Sequence, residues 1–190
     1  MKKLLISILW IFLIPVSARA LELDLLGQVG VGRPVDLQNP ILLSYEKKFN
    51  YHLGLEADIH FSPLWSWLYF GAGLNYTRLK TNVTGTSPVG HSGNVTALDF
   101  HTKVKIPWAK TRFVGGIGIG PYFTTLMFPS DTGGQTDEDA VLGMQGSFGI
   151  EQEIGKRFLV GPQYKVQVVY AEEDTFLIHA ILLQFGGRFR

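Results

Sequence analysis

Apolar and polar residues alternate without a break from Tyr51 to Phe61. Side chains of an extended strand switch faces at every residue, so Tyr51, Leu53, Leu55, Ala57, Ile59 and Phe61 share one face. His52, Gly54, Glu56, Asp58 and His60 share the other. The same period recurs in seven further segments: Leu21–Arg33, Trp67–Leu79, Val95–Ile106, Arg112–Met127, Val141–Ile154, Phe158–Ala171 and Phe176–Phe189. None carries a 3.6-residue apolar period, so the pattern predicts eight strands and no helix. Connectors alternate in length. Pro34–Asn50, Lys80–Asn94 and Phe128–Ala140 are long; Ser62–Ser66, Pro107–Thr111 and Gly155–Arg157 are short and fall at the other end of the strands. The last connector, Glu172–Thr175, is short and departs from that alternation.

The alternation alone admits two arrangements: apolar face to a protein core and ionic face to water, or apolar face to lipid and ionic face to a lumen. The chain ends bear on the choice. Lys2-Lys3, an apolar run from Leu4 to Val16 and Ala18-Arg19-Ala20 have the order of a secretory signal peptide. The run is too short to span a membrane as a helix. Residues 1–20 are therefore expected to be removed, leaving 21–190 as one domain. Of 17 basic and 16 acidic residues the signal holds three basic ones, so the mature net charge is −2 and no basic patch points to nucleic acid. There is no cysteine, hence no disulfide framework and no thiolate metal site.

Three features favour lipid outside and charge inside. Aromatic residues gather at the short connectors: Trp65 and Trp67 at the first, Trp108 at the second, Phe158 at the third. Tyr51, Tyr76, Phe123, Tyr164 and Tyr170 occupy the opposite half, and paired aromatic girdles mark the two interfaces of a membrane barrel. Glycine is dense on or beside the polar face (Gly54, Gly71, Gly73, Gly116, Gly118, Gly120, Gly149, Gly161), where a narrow lumen needs room for long side chains. The final strand places Ile181, Leu183, Phe185, Gly187 and Phe189 on one face. That segment resembles the C-terminal assembly signal of bacterial outer-membrane proteins, in which the closing aromatic is usually the last residue; here Arg190 follows it.

With these residues the chain resembles the small eight-stranded outer-membrane barrels, the OmpA-transmembrane-domain and OmpX type. The resemblance implies an all-β, eight-stranded antiparallel up-and-down transmembrane barrel in the bacterial outer membrane, with both termini periplasmic. It implies contact with outer-membrane lipid and lipopolysaccharide and delivery by the barrel-assembly machinery. It leaves activity and oligomeric state open.

The candidate site is the set of ionisable residues on the inward parity: Glu56, Asp58, His60, His101, Lys103, Lys105, Glu151, Glu153 and Lys165. Charges withdrawn from water must be paired, so these are expected to form an ion-pair network across the lumen. Eight strands enclose only enough space for side chains, which favours a closed interior over a narrow ion pore. The remaining alternatives are a lipid A-modifying enzyme and a soluble periplasmic ligand-binding barrel. Ser147, Asp99 and His101 carry hydrolase chemistry but share the lumen parity, away from a lipid substrate, while His179 lies on the lipid parity. Asp131, Asp137, Glu138, Asp139, Glu172, Glu173 and Asp174 make two connectors acidic without the spacing of an EF-hand. The glycine run 115–120 lacks the helix and lysine of a phosphate loop, and the Asn-x-Thr triplets at Asn75, Asn82 and Asn94 are incidental in a bacterial barrel. No cofactor is expected.

Overall fold

The computed structural model describes residues 21–36, 50–61, 66–80, 92–128, 135–170 and 175–189. The expected signal peptide lies outside the described residues. Eight strands follow in order: β1 (Leu21–Asp36), β2 (Asn50–Phe61), β3 (Leu68–Lys80), β4 (Ser92–Trp108), β5 (Thr111–Phe128), β6 (Gln135–Ile154), β7 (Phe158–Tyr170) and β8 (Thr175–Phe189). Each pairs antiparallel with its sequence neighbours, and β1 pairs with β8 to close the barrel. Closure leaves no edge strand, so every ladder finds its backbone partners within the sheet.

The register fixes the shape. Stepping across the strands from Leu25 through Ala57, Ala72, Phe100, Ile119, Met144, Val168 and Leu177 leads back to Val35, ten residues further along β1. Eight strands with that stagger tilt by about 40° and enclose a backbone cylinder of about 8 Å radius. Such an interior is filled by side chains reaching inward from all sides.

The two faces sort as the alternation requires. Leu53, Leu55, Leu74, Phe100, Ile117, Leu142, Phe148, Ile181 and Phe185 point outward and are exposed. Their inward neighbours are buried, among them His52, Asp58, Lys103, Glu151 and Lys165. An exposed belt of this size on every strand is far larger than a protein stable in water tolerates. Within the strands, outward-facing charge among the described side chains is confined to Arg33, Arg78 and Glu138, all towards the long-connector end.

One expectation about boundaries needs correcting. The sequence pattern places the link between β5 and β6 over Phe128–Ala140, yet β6 begins at Gln135. Leu126 pairs with Asp137, Thr125 with Glu138 and Thr124 with Asp139, so the acidic triplet continues a hairpin instead of lying in a loop. Glu138 and Asp139 are both exposed. A hairpin that is wet on both faces shows no alternation, which is why its sequence reads as a connector.

Candidate functional site

Strand parity puts five buried acids and five buried lysines and arginines inside the barrel among the described residues: Asp24, Glu56, Asp58, Asp99 and Glu151 with Lys103, Lys105, Arg112, Lys165 and Arg188. They form layers. At the short-connector end Asp24 takes Lys105 Nζ at 2.9 Å and Arg112 Nη2 at 3.3 Å on Oδ2, and Arg188 Nε at 2.9 Å on Oδ1. Glu151 is shared by Arg112 at 2.6 Å and Lys105 at 3.2 Å. Arg188 also reaches Glu153 at 2.9 Å and Glu22 at 2.8 Å. Tyr69 ties this layer together. Its hydroxyl donates to Glu22 at 2.8 Å and accepts from Arg112 at 3.1 Å, while Lys105 Nζ sits 4.5 Å from the ring centre.

The middle layer repeats the arrangement with different partners. Lys105 bridges downward to Asp24 and sideways to Asp58 at 2.8 Å. Lys103 joins Asp58 at 3.1 Å to Glu56 at 2.5 Å, and Lys165 takes the other Glu56 oxygen at 2.8 Å. His101 spans two carboxylates, with Nε2 2.7 Å from Asp58 and Nδ1 2.7 Å from Asp99. Asp99 also accepts from Asn75 at 2.6 Å and Gln145 at 2.5 Å. Lys165 makes further bonds of 2.9 Å to Gln28 and Asn75. Ammonium groups with three donors and carboxylates with several acceptor sites are thus largely satisfied, the condition under which buried charge is tolerable.

Glycine makes the room. A Cβ on Gly71 would lie 2.8 Å from Asp58 Oδ1, and one on Gly54 would lie 2.8 Å from both Asn75 Oδ1 and Gln28 Oε1. These positions face the places where the network crosses the barrel.

Above the charges the lining changes character. His52 bonds Thr77 Oγ1 at 2.8 Å and contacts Asn75 at 3.3 Å. Beyond it, towards the long connectors, Leu79, Val95, Ala97, Tyr122, Val169 and Ile178 pack into a buried apolar cluster, with Val141 against it. These residues share the inward parity with the charges below. Sequence reading took that face as the charged one and passed over the cluster, although Leu79 and Val95 continue the inward parity of Thr77 and Ala97.

The sequence-named residues thus occupy distinct places. Glu56, Asp58, His101, Lys103, Lys105, Glu151 and Lys165 meet in the network; Glu153 joins it through Arg188 at its lower rim. His60 is buried and stacks on Tyr69 with ring centres 4.8 Å apart. Asp24, Arg112, Arg188 and Tyr69 were not among the candidate site residues, and they supply much of the lower layer. Trp67, Trp108 and Phe158 are exposed at the short-connector end, Trp108 stacked on Phe113 with centres 5.6 Å apart; Trp65 lies outside the described residues. Ile181, Leu183, Phe185 and Phe189 all point outward on β8. Glu56, Asp58 and His101 also lie close enough together to hold a metal ion, but Lys103 and Lys165 occupy the same carboxylates, an arrangement suited to pairing and not to a cation. Ser147 lies opposite Lys165 in the β6–β7 register, on the lumen side with Asp99 and His101.

No family model matches the sequence, and no curated protein does. Solved structures do. The attachment invasion locus protein Ail of Yersinia pestis, solved in complex with the heparin analogue sucrose octasulfate, superposes with a TM-score of 0.61 at 13% identity, over 90% of this chain and 99% of that one. Neisserial surface protein A gives 0.61 at 9% identity over 87% and 95%. A major outer membrane protein from Thermus thermophilus gives 0.60 at 11% identity over 90% and 100%. At such identities the likeness is one of fold: this chain has the architecture of the small eight-stranded outer-membrane β-barrels.

Proposed function

We propose that the chain is a small outer-membrane barrel with a structural or surface-interaction role and a closed, charge-lined lumen. In this reading residues 1–20 are the export signal, the short connectors and both termini face the periplasm, and the long connectors face outward. Ile181, Leu183, Phe185 and Phe189 present the terminal strand to the assembly machinery, and Trp67, Trp108 and Phe158 mark the periplasmic interface together with Trp65. The partners are lipid and lipopolysaccharide at the outer wall.

The observation that carries the closed lumen is the three-way grip of Lys105 on Asp24, Asp58 and Glu151 across the barrel axis, with all four side chains fully buried. A conducting path needs mobile, hydrated charge; here each charge is held by partners on other strands. The apolar cluster at the other end adds a second closure. Planar-bilayer recording of the purified protein tests this: no steady current is expected, and an ion-selective conductance in every insertion overturns it. Recovery in the soluble periplasm without detergent overturns the membrane assignment itself. The enzyme alternative is tested by mass spectrometry of lipid A from cells with and without the protein, where identical spectra are expected.

A further inference from the structure

On the outer wall of β6, β7 and β8 an apolar depression lies below a pair of polar side chains. Phe148, Ile150, Pro162, Tyr164 and Ile181 border an outward groove of about 470 Å³. Its origin is local. Pro162 cannot donate to the ladder, and the β6–β7 pairing skips from Gly149↔Gln163 to Gln152↔Val160 beside it. The small ring of Pro162 between Ile150 and Tyr164 leaves a depression where a larger side chain would stand.

Polar groups stand just above the groove, two residues beyond Ile181 on β8. Tyr164 Oη lies 2.5 Å from His179 Nδ1, which leaves Nε2 as the other polar atom of the imidazole. Directly across the β1–β8 ladder from His179 is Arg33, exposed on the same outer face. Height matters too. His179 stands ten residues before Phe189 on β8. At a rise of about 3.3 Å and a tilt of about 40°, that is about 25 Å above the short-connector end, the height of the apolar band of a membrane barrel. Below His179 the outer face of β8 runs Ile181, Leu183, Phe185; level with it stand an imidazole and a guanidinium.

We propose that this groove holds one lipid of the outer leaflet, its acyl chain against Ile150, Pro162 and Ile181 and its phosphomonoester headgroup at Arg33 and His179. The occupant follows from the order of the lining. An apolar depression below a cation at the interface complements an anionic lipid, whereas a second copy of this barrel would bring Arg33 against the same charge. Tyr164 acts as a positioning residue: its hydrogen bond fixes the imidazole and turns Nε2 towards the headgroup. The inference rests on the membrane reading above.

The test uses the full mature chain in nanodiscs of phosphatidylcholine containing one-tenth phosphatidic acid, with retained lipids counted by native mass spectrometry. The wild type is expected to keep one phosphatidic acid in preference to phosphatidylcholine. Arg33→Gln is expected to weaken that preference by about tenfold, the loss of one charge-assisted hydrogen bond. Ile150→Trp, which fills the groove and leaves Arg33 in place, is expected to abolish retention. Arg78→Gln removes a rim arginine on β3, hydrogen-bonded to Tyr51 and away from the groove, and is expected to change nothing. Equal losses in Arg33→Gln and Arg78→Gln would reduce the site to general surface charge and overturn it, as would unchanged retention in Ile150→Trp. Displacement of the lipid by inorganic phosphate alone would overturn the role of the chain. A protein that fails to enter nanodiscs refutes the membrane reading instead, so the two failures are distinguishable.

Discussion

The two halves of the barrel interior solve the same packing problem with opposite chemistry. Towards the short connectors, Asp24, Asp58, Lys103, Lys105, Arg112, Glu151 and Arg188 fill the space with multiply shared ion pairs. Towards the long connectors, Leu79, Val95, Tyr122, Val169 and Ile178 fill it with apolar contact. Apolar packing is tolerant, because side chains of the right total volume can rearrange. Ion pairs are intolerant, because a partner removed leaves a charge stranded in a low-dielectric interior. Lys105, Arg112 and Arg188 each meet acids from more than one strand, so a slipped register would separate several pairs at once. The charged half therefore supplies specificity of closure, and the apolar half supplies a water-excluding cap. The contrast predicts unequal responses to mutation.

The largest effect belongs to Lys105→Met. That change takes a shared partner from Asp24, Asp58 and Glu151 at once, each within 3.2 Å of the lost ammonium, and leaves one buried negative charge uncompensated. Removal of one partner from a buried pair costs about 3–5 kcal/mol, and three affected carboxylates place this variant at the upper end. Urea unfolding in lipid vesicles measures it, and a loss below about 1 kcal/mol would break the contrast between the halves. Adding Asp58→Asn to Lys105→Met should recover part of the loss, because it removes the excess buried negative charge. The difference between wild type and Lys105→Met should also survive a change from about 0.1 to about 1 M salt, since buried pairs are screened little. In the apolar half Leu79→Ala should cost about 2–4 kcal/mol through lost burial and the cavity left beside Val95 and Tyr122. It should leave planar-bilayer recordings silent, because the network below is intact; a steady current in this variant would show that the apolar cap alone closes the lumen.

Period-two alternation made both faces legible from sequence: the residues from Tyr51 to His60 point as their parity requires, and so do those of β4 from Val95 to Ile106 and those of β7. The strand count was legible for the same reason. The upper β5–β6 hairpin was not, since Thr124, Thr125, Glu138 and Asp139 are polar on both faces. Within the lumen, parity identified Lys103 and Lys105 as inward but could not pair them. Pairing depends on register and stagger, which bring Asp24 of β1 to Lys105 of β4 across the barrel axis. Arg112 and Arg188 stand near the ends of their strands, where alternation has too few residues to assign a face with force. The apolar cluster was hidden by the rule that exposed the charges: a lumen face taken as polar gives no reason to look for Val95 or Ile178 on it.

The finest test of the comparison uses glycines in place of charges. Gly71 lies inside, where an added Cβ would press on the Ala57 backbone carbonyl oxygen and on His101 Nε2, and would stand 2.8 Å from Asp58 Oδ1. Gly146 lies on the outer face, where an added Cβ meets nothing within 4 Å. Both sit in the interior of strands, so alanine should relieve the entropic penalty of glycine equally at each. At Gly146 that relief acts alone, and stability should change by no more than about 0.5 kcal/mol or rise slightly. At Gly71 it is opposed by overpacking worth about 1–3 kcal/mol, because the crowded groups are the Ala57 backbone carbonyl together with a carboxylate and an imidazole already fixed by Lys103, Lys105 and Asp99. The two variants measured side by side by urea unfolding in vesicles should therefore differ in sign or by at least about 1 kcal/mol. Equal values would mean that the network yields to a methyl group, and that the charged half is no stricter about its packing than the apolar one.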